Sequence, residues 1–158
     1  MTHPQFDEYR YATHDLAKHI IIDEFHKREW LNVHVNPDQY GPDLIATSGR
    51  TGAIWTIEVE VKNNWDTGAF KYRTLHISAR KAKYNNDHHL HVTINKDWSW
   101  FLIVPPSALR EAKRVVKSTV YSEAANLLVS NVYYPLFLFT YNSEPHAPAI
   151  GILSWTAF

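Results

Sequence analysis

The chain has 158 residues, 45% hydrophobic and 20% charged, enough for one compact domain with a real core and too few for two comfortable ones. It contains no cysteine, which excludes disulfides and thiolate chemistry. No window has the length and apolarity of a membrane span and no secretion signal opens the chain, so a cytoplasmic or other intracellular location is expected. Formal net charge is zero, yet residues 1–60 hold ten acids against five Lys or Arg, and residues 61–158 six against eleven.

Leu16, Ile20, Ile21 and Phe25 recur at three- and four-residue spacing and predict a helix over 14–29, with Thr13 as N-cap and an earlier start around Gln5–Tyr9 left open. Leu31–Val35 is a strand candidate, broken by Asn36-Pro37-Asp38. Asp43–Thr47 and Ala53–Lys62 are predicted strands, joined by the turn formers Ser48-Gly49-Arg50-Thr51-Gly52. Residues 63–77 read as irregular, with Asp66-Thr67-Gly68 as a turn. Ser78 is placed to cap a short basic helix running to Lys83 or Tyr84.

His89–Ile94 and Trp98–Val104 predict a hairpin around Asn95-Lys96-Asp97. Its second strand turns Trp98, Trp100 and Leu102 one way and Phe101 and Ile103 the other. Beyond Pro105-Pro106, helices are predicted over 108–117, capped by Ser107, and over Ser122–Val129. Tyr133–Tyr141 reads as strand or buried segment, with Pro135 weighing against a central strand. Gly151–Phe158 is a last strand or a packed tail. No internal repeat or low-complexity linker interrupts the chain, so one domain is expected over 1–158.

The strand over 53–62 places Glu58, Glu60 and Lys62 on one face and Ile57, Val59 and Val61 on the other. Carboxylates gathered at one strand end repel and need solvation, and a divalent cation is the natural compensator. Gly41-Pro42-Asp43-Leu44-Ile45, a hairpin, and then Glu60-Val61-Lys62 resemble the core motif of the PD-(D/E)XK nuclease superfamily, of restriction-endonuclease-like fold. The resemblance covers about residues 13–104. It implies an α/β fold whose central mixed sheet is flanked by helices. It further implies a Mg²⁺-dependent DNA endonuclease, with Mn²⁺ able to substitute, that hydrolyses phosphodiester bonds with metal-activated water.

Carried onto these residues, the resemblance makes Asp43 and Glu60 metal ligands, with the Val61 backbone carbonyl as a further oxygen. Lys62 would orient or help deprotonate the attacking water, or stabilise charge on the phosphate. Glu24 matches a first-helix glutamate of many members and would reach the metal directly or through water; an exposed helical glutamate is the competing reading. Glu58 shares the face of Glu60, about 7 Å back along the strand, and is secondary because the motif needs one residue between carboxylate and lysine.

In the basic stretch after the motif, Arg80, Lys83 and Tyr84 are spaced to face one cleft and bind substrate phosphate, while Lys81 points elsewhere, toward backbone phosphates. Asp87-His88-His89-Leu90-His91 is dense in histidine but lacks zinc-site spacing, so strand packing explains it more simply. Trp65, in a polar loop, is a candidate wedge against DNA or a neighbouring subunit.

The partner class is DNA, with structure-guided, junction-resolving, restriction-like, homing-type and phage-encoded enzymes all open. A homodimer would supply the second cut on duplex DNA, with Tyr133–Tyr141 as candidate interface or as part of the chain's own core. The alternative is a catalytically inactive nucleic-acid-binding or protein-interaction module on the same fold.

Overall fold

The computed structural model describes residues 8–118, 123–130 and 137–140. A long helix α1 (Glu8–Lys27) is followed by strands β1 (Leu31–Val35), β2 (Leu44–Thr47), β3 (Ile54–Val61) and β4 (Thr74–Ser78). A 3₁₀ turn over Ala79–Tyr84 leads to β5 (His89–Ile94) and β6 (Trp100–Val104). Helix α2 (Pro106–Glu111) and strands β7 (Lys113–Ser118), β8 (Glu123–Ser130) and β9 (Phe137–Thr140) complete the order.

Six strands form a mixed sheet in the order β1-β2-β3-β5-β6-β9, in which only the β3–β5 pair is parallel. The expected α/β class with a central mixed sheet is what the chain adopts. Alternation along its strands sorts two cores. Ile57 and Val59 of β3, Leu90, Val92 and Ile94 of β5, and Phe101 and Ile103 of β6 bury against α1 through Ala17, Ile21 and Phe25. On the opposite face, Leu102 and Val104 pack on Leu75, Ile77, Leu127 and Val129. These belong to a second, three-stranded antiparallel sheet in the order β4-β8-β7. One flank of the central sheet is thus a helix, and the other is a small sheet with α2.

Several expectations are corrected here. Helix α1 starts at Glu8, so Thr13 lies inside it and is no cap, and Leu16 is half exposed while Ala17 takes its place in the stripe. The predicted helix over 108–117 is α2 followed by strand β7, and Ser122–Val129 is strand β8. Thr74–Ser78, read as irregular, is strand β4, whose Leu75 and Ile77 are fully buried. The basic helix is a 3₁₀ turn, and Ser78 makes no side-chain cap bond to it. Trp98 packs with Phe101 and Ile103 rather than with Trp100 and Leu102. Of Tyr133–Tyr141, residues 137–140 form β9; the remainder, and Gly151–Phe158, lie outside the described residues.

The β2–β3 hairpin closes tightly. The Gly52 amide donates to Ser48 O and the Ser48 amide to Ala53 O, at 2.9 and 2.8 Å. A Cβ on Gly49 would stand 2.0 Å from the Glu29 carbonyl oxygen, so only glycine lets the hairpin tip lie against the end of α1. Among the described residues, no helix is long and apolar enough to cross a membrane.

Candidate active site

A cleft of about 600 Å³ opens at the C-terminal end of β3. Its floor is Asp43 with Glu58 and Glu60 of β3 and His91 of β5. Thr13 and His14 of α1 form one wall, Ser78, Arg80 and Lys81 the opposite wall, and Lys96 and Trp98 of the β5–β6 turn a third side. The carboxylates reach it because odd-numbered β3 residues bury under α1, which sends Glu58 and Glu60 to the other face.

Asp43 sits one position beyond the β2–β3 ladder, whose last pair is Leu44 with Ile57. Its Oδ2 takes the place of a backbone carbonyl and accepts the Val59 amide at 2.9 Å. The preceding loop is tied down as well. Asn36 Nδ2 donates to Pro42 O at 2.9 Å, and the Tyr84 hydroxyl donates to Tyr40 O at 2.8 Å.

Two side chains one turn apart on α1 converge on this carboxylate. His14 Nε2 lies 3.6 Å from Asp43 Oδ2 and 3.0 Å from the Val59 carbonyl, and Lys18 Nζ lies 3.4 Å from Asp43 Oδ1. Burial pushes the Asp43 carboxyl up, but contact with His14, the Val59 amide and the charge on Lys18 outweigh it and hold the pKa below the ordinary value. The His14 imidazole is raised in turn, chiefly by its contact with Asp43.

Glu60 Oε2 accepts from the buried His91 Nε2 at 3.1 Å, and Lys62 Nζ is 3.8 Å from Oε1. Burial again works to raise its pKa and is outweighed by His91, Lys62 and Arg80, so Glu60 titrates below the usual glutamate range. Glu58 is only 3% exposed; Lys81 Nζ contacts its Oε1, and its Oε2 is buried with no hydrogen-bond partner among the described residues. Behind the floor, His89 is hydrogen-bonded to Thr56 Oγ1 at 2.8 Å, and burial, with the nearby His91 and Lys81, lowers its pKa to about 4.

The motif residues are therefore brought together only in part. Asp43 and Glu60 line the cleft with Glu58 and the Val61 backbone segment. Lys62 does not line it; its Nζ donates to the His76 carbonyl of β4 at 2.8 Å. Glu24 is corrected. It is fully buried about 15 Å along α1 from His14, and it pairs with Arg28 and Lys27, each at 3.2 Å.

The basic stretch is redistributed by its 3₁₀ geometry. Arg80 lines the cleft, whereas Lys81 turns inward onto Glu58, Lys83 stands 4.9 Å over the Tyr84 ring, and Tyr84 secures the Asp43 loop. Trp65 is no wedge. It is 2% exposed, packed edge-on against Phe70, with its indole N–H donated to Gly68 O.

His14, Lys18 and His91 are the side chains that the sequence reading missed. Lys18 and His14 at helical spacing on one face of α1 were a signal without a partner, since nothing in sequence ties residue 14 to residue 43. Among the described residues no group of three or more histidine, aspartate and glutamate side chains is placed to hold a metal ion, and in this arrangement the cleft carboxylates are held by cationic side chains of the chain itself.

No family model and no curated protein matches the chain. Among solved structures it is similar to Hjc, a Holliday junction resolvase from the archaeal hyperthermophile Archaeoglobus fulgidus, with a TM-score of 0.48 at 15% identity over 77% of this chain and 87% of that one. It is also similar to a bacterial homing endonuclease, with a TM-score of 0.44 at 17% identity over 74% and 73% of the two chains. Both are likenesses of fold.

Proposed function

We propose that the chain is a divalent-metal-dependent DNA endonuclease, with Mg²⁺ as the cation and Mn²⁺ as a substitute. The observation that supports this reading is the cleft itself: Asp43 at the entry to β2 and Glu58 and Glu60 of β3, with Arg80, Lys81, Lys96 and His14 around them. Acidic floor and basic rim together suit a cation and a polyanion at once.

Asp43 and the β3 carboxylates would hold the cation; the motif places Glu60 in that set, with the Val61 carbonyl as a further oxygen and Lys62 near the attacked phosphate. A bound divalent cation would supply Lewis-acid polarisation of the phosphate and lower the pKa of the attacking water. The reaction adds water across one P–O bond, leaving a phosphate monoester and a free hydroxyl. Arg80, exposed on the cleft wall, would grip a neighbouring phosphate. A homodimer belongs to this proposal, since two copies would cut both strands of a duplex, and so does an intracellular site of action, where DNA is found.

One observation favours a second reading, a DNA-binding module without cleavage. Each cleft carboxylate already has a cationic partner from the chain: His14 and Lys18 for Asp43, Lys81 for Glu58, Lys62 for Glu60. Linear, nicked, flapped and four-way DNA in Mg²⁺, with the cuts mapped, separates the two. Cuts at junctions or at one duplex sequence identify the subclass of nuclease. Binding without cleavage of any substrate selects the module.

A further inference from the structure

We infer that Trp98 is a stacking platform for one unpaired nucleobase, so that the cleft takes a single-stranded or branch-point nucleotide of DNA rather than an intact base pair. This rests on the DNA reading above, common to the nuclease and the binding module, and names the substrate class of the same cleft.

Backbone geometry singles the residue out. Trp98 holds a left-handed backbone, with φ of 62°, a conformation that a bulky side chain adopts only at a cost. In an extended run Trp98, Trp100 and Leu102 would share one face. The left-handed residue breaks that alternation, and Trp98 lands on the side of Phe101 and Ile103. The surrounding turn imposes the conformation. Asn95 is fully buried; its Oδ1 accepts the Ser99 and Trp100 amides, each at 3.0 Å, and its Nδ2 donates to Ser99 Oγ at 3.1 Å. The Lys96 amide donates to Trp65 O at 2.9 Å. Strain held this firmly points to a use beyond packing, because core filling alone is met without strain from the extended positions of β6.

The strained turn gives Trp98 a place on the cleft. The residue is partly buried, packs against the α1-side core and lines the cleft with Val61. An aromatic residue backed by apolar packing at the edge of a cleft is what a base stacks on. Arg80, exposed on the same cleft, offers a guanidinium to the phosphate of that nucleotide. The volume of about 600 Å³ suits one small molecule, for which sites run to about 300–1,000 Å³, and not a base pair with its two backbones. In a duplex both faces of each base are covered by neighbours. A nucleotide that is already unpaired reaches Trp98 without the cost of leaving the stack.

The test is fluorescence-anisotropy binding of a single-stranded oligonucleotide, and of the same sequence as a blunt duplex, in chelator so that cleavage does not enter. Wild type, Trp98→Leu and Trp98→Phe are compared, with thermal melting to establish that each is folded. Trp98→Leu keeps apolar bulk without the π face and should weaken single-strand binding about tenfold relative to duplex binding. Trp98→Phe should stay within about threefold of wild type. In the wild type, a single-stranded oligonucleotide carrying 5-iodouracil, photo-crosslinked and mapped by mass spectrometry, should attach at Trp98. Equal losses on the two DNAs in Trp98→Leu, no loss at all, or a crosslink that maps away from the β5–β6 turn would overturn the stacking role and leave the DNA reading standing. Wild-type protein that binds neither DNA would overturn both.

Discussion

Asp43 is the residue on which the site turns, and its surroundings make it an anchored anion instead of a member of a repelling cluster. Asp43→Asn should therefore destabilise the metal-free protein by about 1 kcal/mol, because Lys18 and His14 lose a charged partner; thermal melting measures it. The signs of the two linked titrations are opposite. Asp43, lowered, contributes stability above its ordinary value of 3.8 and loses it as pH falls through its folded pKa. His14, raised, contributes below 6.5 and loses it as pH rises through its folded pKa. His89 is buried neutral with a pKa of about 4, so stability is full above 6.5 and declines as pH falls toward 4, by on the order of 3 kcal/mol at most. Denaturant midpoints at pH 7.5 and pH 4.5 should differ markedly in wild type and much less in His89→Asn. Glu24→Ala breaks a buried pair and should cost about 3 kcal/mol, with cleavage per folded molecule unchanged. A selective loss of turnover in that variant would restore Glu24 to the site.

At the scale of elements, the chain from α1 through β3 was legible because its signals are local. The β2–β3 hairpin carries its own turn formers, and the alternation of Glu58 and Glu60 with Ile57 and Val59 reports a strand with one apolar face. The β7–β8 region was not legible. Ala124, Ala125, Leu127 and Leu128 are good helix formers, and their conversion to strand is imposed by pairing with β4 on one side and β7 on the other. Half of the site was hidden for the same reason. His14 and His91 come from α1 and β5, and only the packed fold brings them to the cleft beside Asp43. The 3₁₀ turn shows how geometry redistributes charge: Arg80 and Lys81 face the cleft while Lys83 stacks on Tyr84. Arg80→Ala should weaken DNA binding and reduce the salt slope by about one, whereas Lys83→Ala should leave the slope nearly unchanged. Affinities at three salt concentrations test this, and equal effects of the two variants would contradict it.

Across the whole molecule, the acidic first part of the chain supplies the three cleft carboxylates and the basic second part Arg80, Lys81 and Lys96 beside them, so a neutral net charge conceals two regions of opposite sign. The central sheet carries Glu58 and Glu60 between α1 and the β4-β8-β7 layer. Mapping the cuts that the wild-type chain and Asp43→Asn make in linear and four-way DNA, with Mg²⁺ and with the metal chelated, tests the central claim most directly. The wild type should cut only with metal, and Asp43→Asn should lose at least about a hundredfold in rate while still binding DNA. Cleavage by Asp43→Asn at the wild-type rate, or by the wild type in chelator, would contradict a metal-dependent nuclease built on this cleft.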